Sequence, residues 1–252
     1  MDKNSAVQLI KEVFQNPLDK ERFVFFIRNL LNHFTEAPFV YRGNFIPDAY
    51  DSYVKTLERI GKYEDPEGNK IDILIVNLKK EKSLEHARTM QRNFIAWYLN
   101  GSRGGIQKDA ALVAFVSPNK KDWRFSLVKM EYKLGRTQSG RVRAEEELTP
   151  ARRYSFLVGI NESSHTAQSR LVPILEDDIN NPTLKQLEES FNIEKVTKEF
   201  FEKYRDLFLR TKNELNKVVE KDKKIAADFV SKGIKAGEIW NKKLRFELEV
   251  KV

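Results

Sequence analysis

The sequence predicts a mixed α/β fold, a sheet flanked by helices and followed by a helical C-terminal tail. Three observations lead there. The run "KIDILIVNLKK" (70–80) is too continuously apolar to leave a wet face, so it reads as a central strand. The runs "KDAALVAFVSPNKK" (108–121) and "DWRFSLVKMEYK" (122–133) are apolar strands joined by a polar turn. Between the first strand and this pair, "SLEHARTMQRNFIAWYL" (83–99) carries apolar residues at helical spacing.

The chain begins with two segments of helical period, 5–15 with Val7, Ile10, Val13 and Phe14, and 20–34 with Phe23, Phe26, Ile27, Leu30 and Leu31. Pro17 separates them. "FVYRGNFI" is expected to be a short strand ending at Pro47. Asp48 is expected to cap a helix over about 48–60, with Tyr50, Tyr53, Val54, Leu57 and Ile60 on one side. "EDPEGN" is a turn leading into the central strand. Ser83 then caps the helix 83–99. Strands 110–117 and 123–133 follow as an antiparallel pair. A glycine-containing loop, 135–140, returns into "RVRAEEEL", and "RRYSFLVGI" is apolar again. Residues 161–182 read as loop. Thr183 and Gln186 form a capping box. Long amphipathic helices are expected from there through 222–243. The expected division is a mixed α/β body over 1–180 and a helical tail over 181–252.

The chain has 252 residues and a net charge of +8, which suits a polyanionic partner. It has no cysteine, so disulfide scaffolds, cysteine-based zinc sites and thiol catalysis are excluded. His33, His86 and His165 show no metal-ligand spacing. No apolar run approaches the roughly 20 residues of a membrane span, and the N-terminus is not built as a signal peptide. The expectation is a soluble, cytoplasmic protein without a membrane partner. Walker, Rossmann and nucleophile-elbow patterns are absent.

Pairing strands 110–117 and 123–133 so that residue numbers sum to 240 sets Asp109 opposite Glu131, with Lys133 on the same face. Two carboxylates can hold Mg²⁺ and a lysine beside them can activate water, as phosphodiester cleavage requires. Nucleases of the PD-(D/E)XK type use this pattern. Asp109, Glu131 and Lys133 are therefore candidate catalytic residues, with Asp109 and Glu131 as metal ligands. A solvated strand end with a cross-strand ion pair is the alternative. A second placement uses the strand 71–78. There Asn77 stands where the acid of E-x-K would be, before Lys79, with Asp72 as the remaining acid and Gln91 on the following helix. One carboxylate and an amide bind Mg²⁺ weakly, so this would be a degenerate nuclease kept as a binding fold, or simply a buried strand.

Arg88, Gln91 and Arg92 fall on adjacent turns of one helix face, where they can grip phosphates or read base edges, with an ordinary solvated helix face as the alternative. Arg136, Arg141, Arg143, Arg152 and Arg153 gather around "GRTQSGRVR" and "TPARRYS" and form a second candidate phosphate-gripping edge. The "EEE" at 145–147 offers these arginines local partners.

The stretch 70–99, with "ALVAFVSP", "DWRFSLVKMEYK", "ELTPARRYSFLVG", "SHTAQSRL" and "VTKEFFEKYRDLF" in that order, resembles the N-terminal region of large type IIG-like restriction–methyltransferase proteins, over about residues 70 to 243. The resemblance implies a region that engages or cleaves duplex DNA, with an adenine-N6 DNA methyltransferase domain as partner, in cis or separate. The methyltransferase tetrapeptide Asn/Asp-Pro-Pro-Tyr/Phe is absent, as is a glycine-rich S-adenosylmethionine loop. That cofactor is therefore expected only for a methyltransferase part outside this chain, to which the tail would be a truncated connection. Three functions stand open: a DNA-engaging region that binds through phosphates, an active Mg²⁺-dependent endonuclease domain, and a structural partner-binding module.

Overall fold

A computed structural model of the chain describes residues 1–41, 45–81, 83–101, 106–119, 121–131, 133–136, 142–145, 151–177, 181–221, 224 and 227. The described residues form eight strands: β1 (Thr35–Tyr41), β2 (Val54–Glu64), β3 (Lys70–Leu78), β4 (Ala110–Val116), β5 (Asp122–Met130), β6 (Lys133–Arg136), β7 (Val142–Glu145) and β8 (Ala151–Gly159). Six make one mixed sheet ordered β1-β2-β3-β4-β5-β8, and β6 and β7 pair as a separate ribbon. All neighbours in the large sheet are antiparallel except β3 and β4. A parallel pair needs a crossover, and helices supply it here.

Those helices follow in chain order: α1 (Lys3–Phe14), α2 (Lys20–Leu30), α3 (Asp48–Asp51), α4 (Ser83–His86), α5 (Arg88–Leu99), α6 (His165–Glu176), α7 (Leu184–Phe191) and α8 (Glu194–Lys221). The crossover between β3 and β4 is α4 with α5. Side-chain alternation divides the core. Ile71, Ile73 and Ile75 face one side with α1, α2, α6 and α7, where Phe14, Phe23, Phe26, Trp123 and Phe125 pack ring to ring. Leu74, Val76 and Leu78 face the other side with Phe94, Ile95 and Tyr98 of α5. Burial on both faces explains the unbroken apolar run of β3.

The expected mixed α/β class is the observed one, and several elements are corrected. The helix expected over 48–60 is the short α3 and then β2. Val54, Leu57, Ile60 and Tyr63 are buried at intervals of three, which imitates a helix face. The register of β2 on β3 shifts between Val54 and Thr56 and again between Arg59 and Gly61, so a strand acquires that period. The helix expected from Ser83 is broken at Ala87 into α4 and α5. Residues 161–182 contain α6, despite Pro173 inside it, because Ala167, Leu171 and Leu175 bury one face. The loop around 135–140 is flanked by the β6–β7 ribbon, and β5 ends at Met130 rather than 133. The capping box of Thr183 and Gln186 is present at the start of α7.

Two compact units result, Met1–Ile193 and Glu194–Val252. The boundary lies beyond the expected 180 because α7 buries Leu184, Leu187 and Phe191 in the body's core. Of the second unit α8 is described, and most of the helix expected over 222–243 lies outside the described residues. Among the described residues, no helix is long and apolar enough to cross a membrane.

Candidate nucleic-acid interface

The face of the sheet under α5 changes character from β3 towards the edge strand β8. Across β3 and β4 it is apolar apart from Asp72, which bonds to Tyr98 of α5. On β5, Trp123, Phe125 and Leu127 point into the opposite core, which leaves Arg124, Ser126 and Val128 under α5. On β8, Phe156 and Val158 take the opposite side, and Arg153, Ser155 and Leu157 lie under α5. The register sets Ser126 directly opposite Ser155, with Arg124 and Arg153 diagonally beyond them. Phe94, Ile95 and Tyr98 seat α5 on the apolar part. Its first turns carry Arg88, which is exposed, Arg92, which is half-buried, and Gln91, which is 0% exposed.

Neutral acceptors orient these guanidiniums. Arg153 Nη1 donates to Gln91 Oε1 at 2.7 Å. Arg124, only 6% exposed, donates through Nε to the Leu84 carbonyl at 3.3 Å and through Nη1 to Ser155 Oγ at 3.2 Å. Gln91 Nε2 donates to the same Leu84 carbonyl at 3.2 Å. Among the described residues, no carboxylate is ion-paired with Arg88, Arg92 or Arg153. The pKa of Arg153 is pushed down to about 9, first by burial and then by Arg124, Arg88 and Arg92. It is still cationic at neutral pH.

This cluster unites Arg88, Gln91, Arg92 and Arg153, which the sequence placed in two separate groups. Arg152 departs from that set. As the neighbour of Arg153 in a strand it faces the other side of the sheet, where Nε meets Glu131 Oε1 at 2.6 Å. Arg136 and Arg143 lie in the β6–β7 ribbon, with Gly135 opposite Arg143 and Arg136 opposite Val142, and Arg141 lies outside the described residues.

The hairpin site does not assemble. The observed pairing of β4 with β5 sums to 239, one less than expected, so Ala110 faces Lys129 and Ala111 faces Val128. The Met130 N–H bonds the Asp109 carbonyl, while Asp109 Oδ2 accepts the Lys70 N–H at 2.8 Å. With side chains alternating, Asp109 goes to the α5 face and Glu131 to the opposite one, where Arg152 neutralises it. Lys133 belongs to β6, opposite Glu145. Among the described residues, no group of three or more His, Asp or Glu side chains could hold a metal ion.

The second placement is dispersed as well. Asp72, 2% exposed, accepts the Tyr98 hydroxyl at 2.6 Å and meets Lys108 Nζ at 3.1 Å, so its charge is spent inside the fold. Burial, then Asp72, pushes the Tyr98 phenol up. Asn77 lies five residues along β3, about 17 Å away at strand rise, and on the opposite face, bonded to Thr56. Lys79 pairs with Asp51 at 3.0 Å. Gln91 serves Arg153 and not Asn77.

Sequence reasoning missed Arg124, Ser126 and Ser155. The signal was present in "DWRFSLV", where polar residues alternate with large apolar ones inside a strand otherwise fit for a core. No protein-family model and no curated protein matches the chain.

Proposed function

We propose that the body of this chain engages duplex DNA through its phosphate backbone, with Arg88, Arg92 and Arg153 as the contacts and Gln91 holding Arg153 in position. One observation carries the reading: Arg88, Arg92 and Arg153, none of them ion-paired with a carboxylate among the described residues, gather where α5 meets the edge strand β8, and the neutral Gln91 side chain orients Arg153. Arginine paired with phosphate gives bidentate, charge-assisted hydrogen bonds, which match this preorganisation. The overall charge of +8 favours the same class of partner. Such contacts position a protein on a duplex without reading its sequence.

The wider setting we propose is a restriction–modification protein, with this region presenting DNA to a methyltransferase domain. A strand, a glutamine-bearing helix and a following parallel strand also suit a PD-(D/E)XK-like fold, here used for binding. A catalytic role for Asp109 and Glu131 finds no support in their separation to opposite faces. The test is duplex binding at low salt and micromolar protein. Binding to unrelated sequences alike, weakened equally for all of them by replacing Arg88 and Arg92, is the expected result. Absence of binding under those conditions sinks the proposal.

A further inference from the structure

Towards its other edge, at β1, the α5 face of the sheet carries a second set of side chains. Tyr41 packs at the margin of the core under α5 and meets Tyr98 edge-on at 5.8 Å. Phe39, two residues earlier, points the same way, its ring 4.5 Å from that of Tyr41. Phe39 is nevertheless 51% exposed. Directly opposite it on β2 lies the half-buried Arg59. Arg59 Nε donates to the Ala37 carbonyl at 2.9 Å, and among the described residues neither Nη meets an acceptor. The register shift between Arg59 and Gly61 then returns Lys62 to the same face, opposite Asp72. Lys62 is exposed and, among the described residues, not ion-paired. The Asp72 carboxylate beside it is already bonded to Tyr98 and Lys108. Glu64 is the next side chain on this face and ends the basic stretch at the β2–β3 turn.

We infer that this face of β1 and β2 holds unpaired nucleotides of a DNA strand, with a base stacking on Phe39, whose ring Tyr41 backs, and Arg59 and Lys62 taking the flanking phosphates. Charge complementarity selects the partner. An exposed ring beside two cations without carboxylate partners fits a ligand that is flat and apolar in one part and anionic in the next, and a nucleotide is both. Bases inside a duplex are stacked on one another and cannot reach the ring, so the strand must be unpaired. A second copy of the chain adding a strand to the edge is disfavoured by β1 itself. Pro38 lacks an N–H, and the register of β1 slips between Glu36 and Phe39, which breaks the ladder that an added strand would need. A partner therefore lies across the face. The choice of DNA as the source of the nucleotides rests on the duplex-binding reading, while the surface itself is separate from the arginine cluster.

The experiment is fluorescence anisotropy of the full chain at low salt with three probes of equal length. They are oligothymidine of about 12 nucleotides, which cannot pair with itself, an abasic oligomer with the same phosphates, and a DNA duplex. Oligothymidine should bind about tenfold more tightly than the abasic oligomer, the scale of one base stacked on an aromatic side chain. Phe39→Ala removes a ring that stands outside the core and should erase most of that advantage, whereas Phe39→Trp should keep it and Phe39→Leu should not. Arg59→Gln with Lys62→Gln should weaken both single strands and flatten the slope of log affinity against log salt by about 1.4, at about 0.7 per phosphate. Circular dichroism checks the fold of each variant. Equal affinity for oligothymidine and the abasic oligomer overturns the inference, as does an advantage that Phe39→Ala leaves intact. A dimer in sedimentation velocity that Phe39→Ala dissolves also overturns it and gives the patch to a second copy. Duplex binding without oligothymidine binding overturns this inference alone. Oligothymidine binding without duplex binding overturns the duplex reading alone, and binding of neither overturns both.

Discussion

Replacing Arg88 and Arg92 together with alanine isolates the rim of the cluster. Both lie on α5 and neither is ion-paired among the described residues, so their removal should not cost the fold a salt bridge. Arg124 is too deeply buried to meet a duplex backbone, which leaves Arg88, Arg92 and Arg153 as the reachable contacts. Each neutralised phosphate contributes about −0.9 to the slope of log affinity against log salt, so three contacts predict a slope of about −2.7. Between about 50 and 200 mM salt, affinity should fall roughly 40-fold for the natural chain and only about 3-fold for the double variant, whose slope is about −0.9. The assay is anisotropy of labelled duplexes of two unrelated sequences across a salt series. Both sequences should lose affinity in parallel. A slope unchanged by the double substitution would place the phosphate contacts elsewhere, and a loss confined to one sequence would mean that these arginines read bases.

The remaining expectations concern the scaffold and the metal. Asp65 is buried and accepts from the N–H groups of Glu67, Asn69 and Leu184 and from the Asn69 side chain, tying the β2–β3 turn to the start of α7. Asp65→Ala should cost about 2–4 kcal/mol in denaturant unfolding, since it orphans several of these donors at once. Burial works against the Asp65 charge, yet those bonds outweigh it and hold the carboxyl below its usual range. The stability it supplies is therefore complete above an ordinary carboxylate pKa of about 3.9 and lost as pH falls below that value, and a pH series of melting curves should show that limb shrink in Asp65→Asn. Gly61 lies in β2 where an added Cβ would stand 2.5 Å from the Thr35 carbonyl oxygen and closer still to the Phe34 ring. Gly61→Ala should thus destabilise by about 1–3 kcal/mol, read from the denaturation midpoint. Finally, duplex binding should be indifferent to EDTA, and Mg²⁺ should cause no plasmid nicking that depends on Asp109 or Glu131. Nicking abolished by substituting either acid would restore the nuclease reading.

Local pattern was enough for much of this molecule. The continuous apolar run of 71–78 already required burial on both faces, and the apolar runs joined by the short polar turn "PNKK" already indicated an antiparallel pair. The capping box at Thr183 needs only four consecutive residues, and it appears as read. Such features depend on neighbours in the chain, so the chain alone determines them. Arg88, Gln91 and Arg92 were legible for the same reason, since three and four residues along a helix always share a side.

Tertiary structure decided what local pattern leaves free. Register is the clearest case: β4 and β5 keep the expected strands but slip by one residue, and a period of two turns that slip into opposite faces for Asp109 and Glu131. The helix expected over 48–60 fell to the same physics, because two irregularities of register in β2 gave a strand the spacing of a helix. The union of Arg153 with Arg88 and Arg92 lay beyond the sequence, since it depends on which strand of the sheet α5 crosses. So did Arg124, whose alternate position in "DWRFSLV" marks a face but not what covers it. Contacts between residues 62 positions apart, such as Arg153 with Gln91, are decided by packing of the whole sheet against its helices and by nothing nearer in the chain.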